Sequence, residues 1–144
     1  MIVEVRTDAL DPWSEVARYQ QQALAAGTFG ATAVFVGTMR DFNDDDRVTA
    51  LFLEHYPGMT ERELERIARE HSSAHELLDT FLIHRVGTIT PGEPIVVVAT
   101  WAAHRREAFA ACRGIMEDLK SRAPFWKREE RAGGSRWVAH NTPG

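Results

Sequence analysis

The chain has 144 residues, of which 44% are hydrophobic and 26% charged, and it contains one cysteine, Cys112. That length is about one domain with a core large enough to fold without staples; the composition excludes a disordered tail or a collagen-like chain, and a lone thiol excludes an internal disulfide or a multi-cysteine zinc site. The net charge of −4 argues against a protein that coats nucleic acid, yet residues 104–144 carry 9 Lys/Arg against 5 Asp/Glu where residues 1–103 carry 8 against 16, so an anion-attracting or simply solvated basic surface is expected toward the C-terminal end.

Residues 2–6 alternate apolar and polar and predict a strand. Asp11-Pro12 is a helix start, with the helix running to about residue 26 before Gly27. Residues 30–39 are rich in β-branched side chains and predict a central strand; the acidic stretch 41–47 reads as a solvated loop, and 48–55 as a further strand. A turn at 56–58 is followed by Thr60 and Glu63 in capping-box spacing and a helix to about residue 77. Residues 79–86 predict a strand, 90–93 a turn, and 95–101 an apolar strand covered on both faces. A helix is expected over 104–122, ending before Pro124, and then a hairpin of 125–131 and 135–138 around Gly133-Gly134. No linker or repeat interrupts the chain, so residues 1–144 are read as a single α+β domain with a mixed or antiparallel sheet. The apolar runs are too short to span a bilayer, and no basic start with an apolar run opens the chain, so neither a membrane partner nor a signal peptide is expected and the cytoplasm is the expected location.

The 104–122 helix holds the most informative side chains. Ala108, Cys112, Ile115 and Leu119, with Phe109 and Met116 beside them, form a buried stripe. Lys120 leaves the helix at the edge of that stripe. It can lay its stem on apolar surface and put its ammonium into a pocket, where desolvation would lower its pKa and suit it to proton transfer; the plainer alternative is a snorkelling surface lysine. His104 and Arg105 open the helix where free N–H groups already favour an anion, whereas Arg106 and Arg113 read as solvated. Lys127 and Arg128 are adjacent on a strand and point to opposite faces, so at most one easily shares a pocket with Lys120. Arg40 ends a strand at a loop, a frequent site position, or pairs with Asp41, Asp44, Asp45 or Asp46. His71 and His75 have ligand spacing without a third ligand and read as a solvated helix face; Cys112 reads as a buried, inert thiol. No metal site, resident cofactor, phosphate-binding glycine loop or nucleophile elbow is expected.

Several segments together carry a resemblance: Gly30-Ala31 with Phe35-Val36-Gly37-Thr38-Met39-Arg40; Leu53-Glu54-His55-Tyr56-Pro57-Gly58-Met59; His84-Arg85-Val86-Gly87 with Gly92-Glu93; His104-Arg105; and Leu119-Lys120 followed by Pro124-Phe125-Trp126-Lys127-Arg128-Glu129. In this order they resemble the large, catalytic subunits of molybdopterin synthase, the MoaE family, over nearly the whole chain. The resemblance implies an α+β fold with an α/β-hammerhead element. It also implies a homodimer that carries two small ubiquitin-like sulfur-carrier subunits in a heterotetramer. The carrier's C-terminal Gly-Gly thiocarboxylate would enter a pocket and give sulfur to cyclic pyranopterin monophosphate, forming the dithiolene of molybdopterin. Because the Gly-Gly pair of this chain is internal, the chain is not expected to be the carrier.

By the same resemblance Lys120 and Lys127 are the catalytic lysines, and the substrate-binding set is Thr38, Met39, Arg40, His104, Arg105, Lys120, Lys127, Arg128 and Glu129. His104 and Arg105 would reach the neighbouring subunit's site. The residue types suit the chemistry: a cyclic phosphate and a thiocarboxylate are both anions, and a cationic pocket lowers their repulsion. Two other readings compete. One is a non-catalytic dimeric scaffold for the carrier, against which the presence together of Arg40, His104, Arg105, Lys120 and Lys127 speaks. The other is an RNA-binding module using the basic C-terminal third, against which the negative net charge and scattered aromatics count.

Overall fold

The computed structural model describes residues 1–43 and 46–138. The elements run β1 (Ile2–Arg6), α1 (Pro12–Ala23), β2 (Ala31–Thr38), β3 (Phe42–Asn43), β4 (Asp46–His55), α2 (Met59–Ala74), β5 (Asp79–Arg85), β6 (Gly87–Ile89), β7 (Pro94–Ala102), α3 (Arg105–Arg122), β8 (Phe125–Arg131) and β9 (Gly134–Trp137). The first sheet has the order β1-β5-β7-β2. Its β1–β5 pairing is parallel and the other two are antiparallel. The second sheet runs β3-β4-β8-β9, with β6 on the free side of β4.

Alternation along β5 and β7 decides what covers each face of the first sheet. Phe81, Ile83, Val97, Ala99 and Trp101 face α1 and pack with Leu10 and Val16. Leu82, Val96, Val98 and Ala102 face the other way, onto Leu64, Ile67 and Ala68 of α2 and Ala108, Cys112, Ile115 and Leu119 of α3. As a strand buried on both faces, β7 reads as the continuous apolar run expected of it. Each fully buried Leu, Ile or Val contributes roughly 1.5–3 kcal/mol relative to exposure, so this two-sided core holds the scaffold. A third cluster, Met39, Val48, Leu51, Leu53, Val86 and Ile89, joins the second sheet to the first.

Several sequence expectations shift. The first helix stops at Ala23 rather than near residue 26. The acidic stretch is partly strand: Phe42 and Asn43 pair with Arg47 and Asp46, while Asp44 and Asp45 lie outside the described residues. The three-residue β6 was not expected; it forms because β4 offers a free edge to Gly87–Ile89. The capping box is displaced as well. With φ +86°, a backbone conformation natural to glycine, Gly58 ends the turn and α2 begins at Met59. The Glu61 carboxylate accepts the Gly58 N–H at 2.9 Å. Thr60, fully buried, accepts the Tyr56 N–H at 3.0 Å and donates to the Pro124 carbonyl at 3.2 Å. Glu63 instead holds Arg122 of α3. Phe109, placed in the buried stripe by spacing, is 67% exposed because it lies on the flank of α3 turned away from the sheet.

His71 is not on a solvated face. Its Nε2 meets Asp118 at 2.7 Å, and its ring lies against Gly114, where a Cβ would come within 2.5 Å of it. Arg122 reaches back from α3 to Glu63 and Glu70 of α2. These contacts clasp α2 to α3 and fix the C-terminal end of α3, where Lys120 sits.

Candidate active site

Four element ends meet beside Phe125: the last turn of α3 with Lys120, the start of β8 with Lys127, the end of β5 with His84, and the end of β4 with His55. Register explains the grouping. Lys127 stands opposite Leu53 and Phe125 opposite His55, so all four project from the same face of the second sheet. His84 follows the alternation of Leu82 toward the α2/α3 side, and its ring stacks on Phe125 with centroids 4.0 Å apart.

Electrostatics shows how close the cations are. Burial, and secondly the neighbouring Lys120 ammonium, push the Lys127 ammonium down to about 8 against the opposing pull of Glu129. Burial also holds His84 neutral, down at about 4, with Lys127, Lys120 and His55 adding to the effect. The His84 Nδ1 lies 2.9 Å from the Arg85 carbonyl, which requires the proton on Nδ1 and leaves the Nε2 lone pair as the acceptor. Two half-buried ammonium groups beside a neutral imidazole attract anions, and Lys127, lowered to about 8, can give a proton near neutral pH.

The other expected site residues divide. Arg40 is exposed at the end of β2 and has no ion-pair partner among the described residues, so pairing with Asp41 does not occur. Thr38 is exposed beside it. Met39 does not present its side chain: it is 6% exposed in the third core cluster, and its N–H and carbonyl are engaged by Glu93 and Gly92. His104 and Arg105 are exposed at the start of α3, with His104 as its N-cap. The rise of an α-helix puts them about 24 Å from Lys120 along the axis, so they do not meet the lysines within one chain.

Arg128 lies on the face opposite Lys127, as strand alternation requires. Its guanidinium sits over the rings of Phe52 (4.9 Å) and Trp137 (5.7 Å). Glu129 does face inward, but it is 4% exposed and bonded to Arg131 at 2.6 Å. A buried carboxylate so engaged holds cations in place; it is a poor contact for an anionic substrate. Sequence reasoning assigned no role to His84, His55 or Phe125. The signal for His84 was a histidine closing an otherwise apolar strand. At the same end of the second sheet, Glu54, His55, Tyr56, Trp126 and Trp137 line an open cleft of about 410 Å³, with Tyr56 edge-on to Trp126 at 4.2 Å.

Among the described residues no group of three or more His, Cys, Asp or Glu side chains is placed to hold a metal ion, and no helix is long and apolar enough to cross a membrane. Cys112 is buried, and burial pushes its thiol up to about 11.

Fold and site thus define an α+β domain that brings two half-buried lysines together beside a neutral histidine. The family model for MoaE protein matches residues 7–122. The molybdopterin synthase catalytic subunit of Pseudomonas aeruginosa is 48% identical over 138 residues, covering 96% of this chain and 90% of that one. Among solved structures, the molybdopterin biosynthesis MoaE protein of Burkholderia ambifaria superposes with a TM-score of 0.79 at 45% identity, over 97% of this chain and 90% of that one. The molybdopterin synthase of Staphylococcus aureus superposes with a TM-score of 0.85 at 26% identity, over 96% and 97%. The chain belongs to the MoaE family.

Proposed function

We propose that this chain is an enzyme, the catalytic subunit of a molybdopterin synthase. It takes sulfur from the thiocarboxylated Gly-Gly C-terminus of a small ubiquitin-like carrier and transfers it to cyclic pyranopterin monophosphate, building the dithiolene of molybdopterin. The observation that carries this reading is the juxtaposition of Lys120 and Lys127, both half-buried, on the strand face shared with Phe125. A thiocarboxylate is already ionised near neutral pH, so the protein's task is to bring two anions together, and paired ammonium groups reduce their repulsion. Lys120 positions the thiocarboxylate and serves as general acid or base, and Lys127 holds the substrate's negative charge. Arg40 and Thr38, at the exposed end of β2, extend the anion-binding surface.

His104 and Arg105 enter from a second copy of the chain, because their own helix carries them away from Lys120. Phe109, one turn beyond Arg105, and Phe35, 41% exposed on the edge strand β2, supply apolar surface for that second copy. Assembly as a homodimer within a heterotetramer and a cytoplasmic location belong to the same proposal and follow the family resemblance.

The deciding experiment is a single-turnover assay with thiocarboxylated carrier and cyclic pyranopterin monophosphate, scoring dithiolene. The wild-type chain should form product. Lys120→Ala should lose at least about 10²-fold in rate, the lower range for one proton-transfer group, while remaining folded and dimeric. Near wild-type turnover in that variant would contradict the role given to Lys120. A stable carrier complex without any product from the wild-type chain would favour the scaffold reading.

A further inference from the structure

The chain passes directly from the first sheet to the second, without an intervening helix, at residues 38–42 after β2 and at residues 85–87 between β5 and β6. One turn, residues 90–93, ties both together. From its backbone, Gly92 donates to the Met39 carbonyl at 2.9 Å, and the Met39 N–H donates to the Glu93 carbonyl at 3.0 Å. From its side chain, Glu93 Oε1 accepts both the N–H (2.8 Å) and the hydroxyl (2.7 Å) of Thr90, which closes the turn. Glu93 Oε2 takes Arg85 Nη1 at 2.7 Å, and Arg85 Nη2 reaches the Thr88 carbonyl at 3.2 Å. The β2–β7 ladder is irregular between Gly37 and Thr38, so the turn takes over the fixing of the backbone where the ladder weakens.

Arg85 is 8% exposed. Burying a guanidinium between two sheets is a poor way to gain stability, since apolar residues of similar volume do as well or better. What the pair supplies is geometry. Two residues beyond Arg85, Gly87 pairs with Leu53, and Leu53 pairs on its other side with Lys127. One residue beyond Met39 stands Arg40. The Arg85–Glu93 pair therefore links the backbone that carries Arg40 to the backbone that carries Lys127.

We propose that Arg85 and Glu93 are positioning residues for the reaction: their ion pair locks the 90–93 turn onto Met39 and so sets where Arg40 stands relative to Lys120 and Lys127. The proposal rests on the reading of Arg40 as an anion-binding residue. The Glu93 carboxyl is held down at about 2 by Thr90 and Arg85, so the pair persists through neutral and mildly acidic pH.

The test uses the dimeric protein with thiocarboxylated carrier, comparing Glu93→Gln, Arg40→Ala and the double variant. Glu93→Gln is expected to raise the KM for cyclic pyranopterin monophosphate about ten-fold while leaving kcat and carrier affinity within about two-fold. Arg40→Ala should raise KM at least as much. The double variant should be no worse than Arg40→Ala alone, because Glu93 acts through Arg40. Arg85→Lys, which keeps the charge and gives up the forked geometry, carries the same expectation should Glu93→Gln fold poorly. A raised KM in Arg40→Ala with an unchanged KM in Glu93→Gln and Arg85→Lys would overturn the proposal alone. So would additive effects in the double variant, or a lowered unfolding midpoint with normal KM, either of which marks a brace for the fold only. An unchanged KM in Arg40→Ala would remove the reading of Arg40, and the proposal with it.

Discussion

Lys127 is where burial turns an ordinary side chain into a titrating one. With its ammonium pushed down to about 8 by burial and by Lys120, the charged form that holds an anion is lost as pH rises through that value. The profile of kcat/KM reports the free enzyme, so it should fall above about pH 8. Lys127→Arg should move that limb upward, because a guanidinium stays charged. A limb that stays in place in the variant would assign it to another group. The same burial favours unfolding at lower pH: between about 8 and the ordinary lysine value the unfolded chain binds more protons than the folded one, so Lys127 costs stability below pH 8 and that cost is relieved as pH rises. The two lysines were legible in the sequence, one from its place at the edge of an apolar helical stripe and both from the motif. His84 was legible only as a polar residue in an apolar strand; its neutrality and its stacking on Phe125 follow from two strands distant in the chain.

At the scale of elements, the position of Lys120 depends on how tightly α2 and α3 are clasped. Gly114 admits the His71 ring, and Asp118 and Arg122 complete the contact. In a free helix, glycine to alanine would gain about 1 kcal/mol. Here the added Cβ displaces an imidazole bonded to a carboxylate, a bond of about 1.5–3 kcal/mol, and overpacking adds about 1–3 more. Gly114→Ala should therefore destabilise by roughly 1.5–5 kcal/mol in denaturant unfolding. In a His71→Ala background the sign should reverse, to a gain of up to about 1 kcal/mol. Destabilisation of equal size in both backgrounds would show that the ring is not the obstacle. Helix and strand types were readable from periodicity, but β6 was not. Three residues carry no period, and that strand exists because β4 has an edge to fill.

For the whole molecule, the approximate 24 Å between Lys120 and the His104-Arg105 pair along one helix makes the proposed site a property of two chains. Phe109, 67% exposed on the same helix, is the side chain whose solvent exposure a second copy would relieve. Phe109→Asp should leave the monomer fold within about 0.5 kcal/mol, as surface changes do, and should shift sedimentation from dimer toward monomer with activity falling alongside. A dimer that persists with full activity would place the interface elsewhere.

The α+β class, the order and type of the long elements, the two-sided burial of β7 and the family are all written in the linear order of residues. These rest on local periodicity, turn chemistry and motif order, all of which are properties of neighbouring residues. Which face each strand residue presents to the lysine pair was settled by folding. Folding withdrew Met39 into the core, set Arg128 on the far side of its strand, engaged Glu129 with Arg131, stacked His84 on Phe125 and joined Arg85 to Glu93. Those outcomes depend on strand register and on the packing of segments tens of residues apart, and a one-residue change of register would have reversed each face.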